Sequence, residues 1–144
     1  MAKITILGSG GWGTALAITA FDSGHEVTLW SPFEAEVEML SRLRTNEKLL
    51  KGVVIPEDIK ITTDISCVEG SAITIIATPS TAVRATAKRL KDCKDCGIVV
   101  NVSKGFEKDS LLRLSEVIES ELPELLETVR YCNRYSNRIY RFGL

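Results

Sequence analysis

Ile4-Thr5-Ile6-Leu7-Gly8-Ser9-Gly10-Gly11-Trp12-Gly13-Thr14-Ala15-Leu16-Ala17 decides the fold. A short apolar, β-branched run ends in a glycine cluster, and the small residues from Thr14 to Phe21 then read as a helix closed by Gly24. His25-Glu26-Val27-Thr28-Leu29-Trp30 resumes a strand pattern, so this opening stretch forms one β-α-β unit with a right-handed parallel crossover. Gly8-Ser9-Gly10-Gly11-Trp12-Gly13 matches G-x-G-x-x-G between the first strand and the helix. The glycines there permit a tight turn, a close backbone approach to a pyrophosphate, and close packing of helix on strand. Free N–H groups and the dipole at the helix start favour an anion. The motif in this context predicts a bound dinucleotide, NAD or NADP, over Gly8, Gly10 and Gly13, with Gly11 and Trp12 in the same loop and Trp30 at the crevice.

Outward from this unit, Phe33, Val37, Leu40 and Leu43 fall on one face of a second helix, with Glu34, Glu36 and Glu38 outward. Arg44 to Asp58 reads as a mixed loop, Ile59-Lys60-Ile61-Thr62 as an edge strand, and Asp64 as the N-cap of a short helical turn. Ala72-Ile73-Thr74-Ile75-Ile76-Ala77 is a buried strand, after which Thr78 and Pro79 supply an N-cap and a first-turn proline for a helix through Leu90. Ile98-Val99-Val100-Asn101-Val102 is the next strand. Strands alternating with helices in this order predict an α/β fold, a Rossmann-type doubly wound parallel sheet in three layers. Its ligand crevice is expected where the loops after Leu7, Trp30, Ala77 and Val102 converge.

Those loops hold the candidate site residues. An acid at the end of the second strand would bind ribose hydroxyls and favour NAD, but Trp30 is followed by Ser31-Pro32-Phe33. Ser31 is the candidate there, able to donate to a ribose hydroxyl or a 2'-phosphate, and the choice between NAD and NADP stays open. Thr78-Pro79-Ser80 fits two roles equally, lining the nicotinamide side of the crevice or simply capping a helix. Lys104, in Val102-Ser103-Lys104-Gly105, would bring a localised positive charge to an anionic substrate or cofactor oxygen. Cys93-Lys94-Asp95-Cys96 lacks the further ligands a zinc site needs and precedes a strand, so it is read as incidental thiols, with no metal expected. His25 is read as a strand-start residue.

Composition narrows the classes. At 44% hydrophobic and 26% charged residues in 144, the chain has enough apolar material for one packed domain. A net charge of -1 gives no general pull toward nucleic acid or anionic membrane. The four arginines of residues 130–144 carry +4, leaving -5 on the remainder, so the basic charge is terminal. No apolar run approaches membrane-spanning length and no signal-peptide core opens the chain, so a cytoplasmic setting with reduced thiols is expected.

With those residues in hand, the chain resembles the N-terminal domain of bacterial NAD(P)-dependent glycerol-3-phosphate dehydrogenase. The likeness lies in Gly8 to Ala17, in Gly24 to Trp30, in Val102-Ser103-Lys104-Gly105-Phe106-Glu107 and in Ser110-Leu111-Leu112-Arg113. The resemblance implies cofactor contacts at Gly11 and Trp12, and places Lys104 against both cofactor and glycerol phosphate. It implies reversible hydride transfer between the nicotinamide and dihydroxyacetone phosphate or sn-glycerol 3-phosphate. Pro32 stands where the family often has Arg or His, and Leu49 where it often has an aromatic. The expected organisation is a dinucleotide-binding domain over residues 1–123 and an atypical basic tail over 124–144, where Arg134, Arg138 and Arg141 interleave with Tyr131, Tyr135 and Tyr140. The family's helical substrate domain, with its general-base lysine, has no counterpart in these residues, so no catalytic residue is assigned and a truncated or frame-shifted dehydrogenase that binds cofactor with little or no turnover is expected. A stand-alone nucleotide-binding, redox-sensing module is the alternative; it would change partner or oligomeric state with NADH. No specific nucleic acid or membrane partner is expected, and an apolar face left uncovered would favour a homodimer.

Overall fold

A computed structural model describes residues 1–123 and the backbone of 129–131. The basic tail, apart from the strand at 129–131, and Cys132 lie outside the described residues. Six parallel strands form the main sheet in the order β5-β2-β1-β6-β7-β8. They are β1 (Lys3–Leu7), β2 (Glu26–Trp30), β5 (Lys60–Thr62), β6 (Ile73–Ile76), β7 (Ile98–Asn101) and β8 (Val129–Tyr131). The chain builds outward from β1 to β2 and β5, then crosses back to lay β6, β7 and β8 on the other side of β1. This reversal between β1 and β6 is the switch point of a doubly wound sheet, and it opens a crevice at the strands' carboxyl ends.

The alternation of side chains along β1 explains the three layers. Ile4 and Ile6 face one core with Ala17 of α1 (Gly11–Asp22), Leu40 of α2 (Glu34–Leu43), Val27 and Leu29. Leu7 faces the other, with Ile76, Val83 and Ala87 of α3 (Val83–Arg89) and Leu114, Val117 and Ile118 of α4 (Leu114–Glu121). Between strands, Thr5 stands opposite both Thr28 and Thr74, giving a buried row of hydroxyls across the sheet. Thr5 and Thr74 are satisfied within the protein, Thr5 by the Ser71 hydroxyl at 2.8 Å and Thr74 by the Cys96 carbonyl at 2.7 Å.

Most of the expected elements are present with shifted limits. The first helix starts at Gly11 rather than Thr14, because two motif glycines are wound into its first turn. Asp64 does accept the Ser66 N–H at 2.9 Å, capping the turn Ile65–Val68.

Four expectations are corrected. Residues 44–58 are not simply a loop: β3 (Thr45–Asn46) and β4 (Leu50–Val54) form an antiparallel hairpin. Arg44, left-handed at φ 52, anchors its base by donating to the carbonyls of Ile59 at 2.8 Å and Pro56 at 3.3 Å. Thr78 and Pro79 do not cap an α-helix, since Ser80–Ala82 forms a tighter 3-10 turn before α3 begins and no side chain caps either element. Phe33 and Leu43 do not join Leu40 in the core; they are 67% and 52% exposed, Phe33 standing before α2 as its N-cap and Leu43 at its last position. Trp30 is not open to the crevice, for its ring is 1% exposed within the α3/α4 core and its indole N–H donates to the Thr63 carbonyl at 2.9 Å. Helix α4 was not foreseen, although Leu114, Val117, Ile118 and Glu121 are spaced as one helical face.

Candidate functional site

The loops at the carboxyl edge of the sheet enclose a cleft of about 870 Å³. It lies against β1, β2, β6 and β7, the four strands whose following loops were expected to converge, and its volume is within the range of small-molecule sites.

The floor of the cleft is the glycine loop. Gly8 leaves β1 at φ 123, a conformation strained for any residue with a Cβ, and a Cβ there would lie 2.7 Å from the Ala77 carbonyl oxygen. Gly13, one turn into α1, presses so close to β1 that a Cβ would sit 1.8 Å from the Gly8 carbonyl oxygen. These two positions require glycine for packing alone. Gly10 differs, because it lines the cleft and a Cβ built on it meets no atom within 4 Å. Gly10 is also the N-cap of α1, with no side-chain cap and no acid in the first turn. The positive end of a 12-residue helix therefore faces open space, the arrangement that suits a phosphate. The loop is held from behind: Asn46 of β3, 4% exposed, donates to the Ser9 carbonyl at 3.0 Å, and Thr14 donates to the same oxygen at 3.2 Å. Trp12 is 61% exposed on the rim, and Leu49, 55% exposed, lines the cleft beside it.

At the end of β2, Ser31 and Pro32 line the cleft together with Glu36 from the first turn of α2. The Ser31 hydroxyl donates to a Glu36 carboxylate oxygen at 2.5 Å and accepts the Phe33 N–H at 3.4 Å. Glu36 was expected on the solvated face of its helix; it is half-buried instead and turned back toward the strand end. No sequence pattern pointed to it, since it lies beyond the strand in which such an acid is sought.

On the far side of β1, Pro79 and Ser80 border the cleft, as does Thr78. The Thr78 hydroxyl is, among the described residues, the buried side-chain oxygen left without a hydrogen-bond partner, and it belongs to a residue 8% exposed. Thr78 borders the cleft, so its buried, unpaired hydroxyl is a group that a ligand atom or a water settling there would satisfy. Ser103, after β7, donates to the Thr78 carbonyl at 2.6 Å and so ties the two loops together. Lys104 follows it, exposed, and lines the cleft as its cation.

The Lys104 loop is secured by a charge cluster absent from the sequence reading. Arg84 of α3 forks onto Glu107, Nε to Oε1 at 2.6 Å and Nη2 to Oε2 at 2.7 Å, while its Nη1 reaches Glu121 at 2.5 Å. Lys91 holds the other oxygen of Glu121 at 2.7 Å. The hydrogen bonds from Arg84 and then Ser110 pull the Glu107 carboxyl down to about 2, and those from Lys91 and Arg84 lower that of Glu121. Sequence could suggest the residues, but only the fold brings α3, α4 and this loop within reach.

The cysteines play no part in the cleft. Among the described residues they are unpaired and no group of metal-ligating side chains forms. Burial pushes the Cys67 and Cys96 thiols up to about 12, so neither is a ready nucleophile. His25 accepts the Ala2 N–H at 3.3 Å near the start of β2, at the opposite end of the strand from the cleft. No described helix is long and apolar enough to cross a membrane.

Residues 3–130 match the family model described as "NAD-dependent glycerol-3-phosphate dehydrogenase N-terminus", beyond the point where the quoted segments carried the resemblance. A glycerol-3-phosphate dehydrogenase [NAD(P)+] of Fusobacterium nucleatum is 45% identical over 126 residues, which cover 86% of this chain and 38% of that protein. A relative of the same name in Lactobacillus delbrueckii subsp. bulgaricus is 48% identical over 124 residues, 85% of this chain and 36% of its own. The crystal structure of glycerol-3-phosphate dehydrogenase from Coxiella burnetii superposes with a TM-score of 0.78 at 31% identity, over 90% of this chain and 39% of that one. The chain thus spans less than two-fifths of the length of these relatives. With the crevice, the glycine loop and this match in agreement, the chain belongs to the family of NAD-dependent glycerol-3-phosphate dehydrogenase N-terminal domains.

Proposed function

We propose that this chain is the cofactor-holding part of a dehydrogenase that exchanges hydride between NAD(H) or NADP(H) and dihydroxyacetone phosphate or sn-glycerol 3-phosphate. One observation carries the reading: Gly10 caps α1 with no side chain and leaves open space where a Cβ would stand, at the floor of the cleft. That is the environment a pyrophosphate requires. The orphaned Thr78 hydroxyl gives a second point of fit.

The nicotinamide, when bound, supplies the hydride. This chain's residues do the rest of what it offers: Gly10 and Gly11 present backbone to the pyrophosphate, Gly8 sets the turn, Gly13, which does not line the cleft, lets α1 pack close on the loop, and Trp12 covers the rim. Ser31 meets the ribose at the end of β2, and Pro79 shapes the nicotinamide side. Lys104 brings a positive charge to the dianionic substrate phosphate or a cofactor oxygen. The described residues offer the cleft no other cation, and this chain tested alone should bind dinucleotide with little or no turnover. A cytoplasmic setting, a homodimer, and no membrane or specific nucleic-acid partner complete the reading.

Titration with NADH and NADPH, followed through quenching of Trp12 fluorescence, tests it. Saturable quenching that Gly10→Asp abolishes is the expected result. A folded chain that neither dinucleotide quenches, and that shows no heat of binding, refutes it. Association that changes with NADH would favour a redox-sensing module instead.

A further inference from the structure

We propose that Glu36, acting with Ser31, makes the cleft select NAD(H) over NADP(H). This inference rests on the dinucleotide reading above and adds to it a specificity-determining residue.

At the end of β2, where doubly wound sheets receive the adenosine ribose, the donors of residues 31–33 are already committed. The Ser31 hydroxyl proton is committed to Glu36 at 2.5 Å, and the Ser31 backbone N–H is committed to the Thr62 carbonyl at 3.1 Å. Pro32 has no N–H to give, and the Phe33 N–H already points at the Ser31 hydroxyl oxygen. Of the groups on Ser31, Pro32, Phe33 and the Glu36 side chain, what remains is therefore acceptors, the second Glu36 oxygen and the remaining lone pair of Ser31, and the donors left at this corner are the first backbone N–H groups of α2, at Glu34 and Ala35. Ribose hydroxyls can donate to both. A 2'-phosphate, which at neutral pH has oxygens and little hydrogen to give, finds a carboxylate in front of it.

The charge balance points the same way. Glu34 and Glu36 both sit in the first turn of α2, countering the helix dipole there, which favours anions. Lys104 is the cation among the described cleft-lining residues, and it follows β7 on the other side of β1. Arg44, at the far end of α2, has its guanidinium spread over the carbonyls of Ser41, Pro56 and Ile59. An acid thus stands where the ribose arrives, although the strand itself ends Leu29-Trp30 without one.

Isothermal titration of the full chain and of Glu36→Gln with NADH and with NADPH tests this. The unmodified chain is expected to bind NADH about tenfold more tightly than NADPH, the order of effect of like charges a few ångströms apart in a half-exposed cleft. In Glu36→Gln the gap should shrink to about threefold or less because NADPH binds more tightly, and raising the salt should narrow the gap in the unmodified chain alone. A merely structural role would weaken both ligands together. The proposal is overturned if the unmodified chain binds both equally or prefers NADPH, or if Glu36→Gln leaves the ratio unchanged while its urea midpoint shows it folded. Binding of neither dinucleotide by the unmodified chain would overturn it together with the reading beneath it, which the first two outcomes leave standing.

Discussion

Gly13→Ala and Gly10→Ala should separate folding from binding at positions only three residues apart. In an exposed helix, Gly→Ala gains about 1 kcal/mol of helix propensity. At Gly13 the new methyl would lie 1.8 Å from the Gly8 carbonyl oxygen and 2.9 Å from its carbon, far inside contact distance. Gly8 cannot retreat easily, because its N–H is fixed to the Trp30 carbonyl at 2.9 Å and the Ala77 carbonyl oxygen lies only 2.7 Å from where a Cβ on Gly8 would stand. Helix α1 must then lift from β1, an overpacking cost of about 3 kcal/mol or more where backbone blocks relief. The net loss is about 2 kcal/mol, which for a domain of this size lowers the urea midpoint by about 1 M. At Gly10 the backbone, φ -64 and ψ 177, is open to any L-residue and the methyl meets nothing. Gly10→Ala should therefore unfold at nearly the same urea concentration, yet bind NADH about ten- to a hundredfold more weakly as the methyl enters the pyrophosphate space. Equal stability of Gly13→Ala and the unmodified chain would refute the packing argument. Undiminished NADH binding by folded Gly10→Ala would refute the assignment of that space.

Thr78→Val removes a buried hydroxyl that has no partner in the free protein. The free chain should hold or gain up to about 1 kcal/mol in urea unfolding, while NADH affinity falls by roughly fivefold; a matching loss of stability would mean the hydroxyl is already satisfied. Glu107, held at about 2 against an ordinary 4.5, contributes stability that is complete above its ordinary value and is lost as pH falls toward about 2. The urea midpoint should therefore drop between pH about 5 and about 2, and Arg84→Met should flatten that part of the profile; an unchanged slope would show that the Arg84 fork is not responsible.

How much of this was legible in the sequence depends on the range of the interactions involved. The glycine loop and the strands around it were readable because tight turns and parallel pairing impose strong local demands, seen at Gly8 and Gly13. The β3–β4 hairpin escaped because Leu50–Val54 lies mostly exposed, so no alternation of apolar and polar residues marks it. Thr78-Pro79 looked like a helix start, but Ser103 pulls on the Thr78 carbonyl from a strand away and a 3-10 turn follows. Glu36 was assigned outward by helical phase, and it is Ser31, five residues back, that turns it inward. The Arg84 cluster joins residues 23 and 37 positions apart, a separation that local pattern does not encode.

The two tryptophans, finally, occupy opposite environments: Trp12 on the rim at 61% exposure, Trp30 sealed in the core at 1% with Arg89 stacked 5.8 Å above its ring. An indole in water relaxes its surroundings and emits to the red, whereas a sealed one emits to the blue and is shielded from dissolved quenchers. The chain therefore carries its own internal reference. The red component follows occupancy of the cleft and the blue one follows integrity of the sheet, so one emission spectrum distinguishes a variant that has lost its ligand from a variant that has lost its fold.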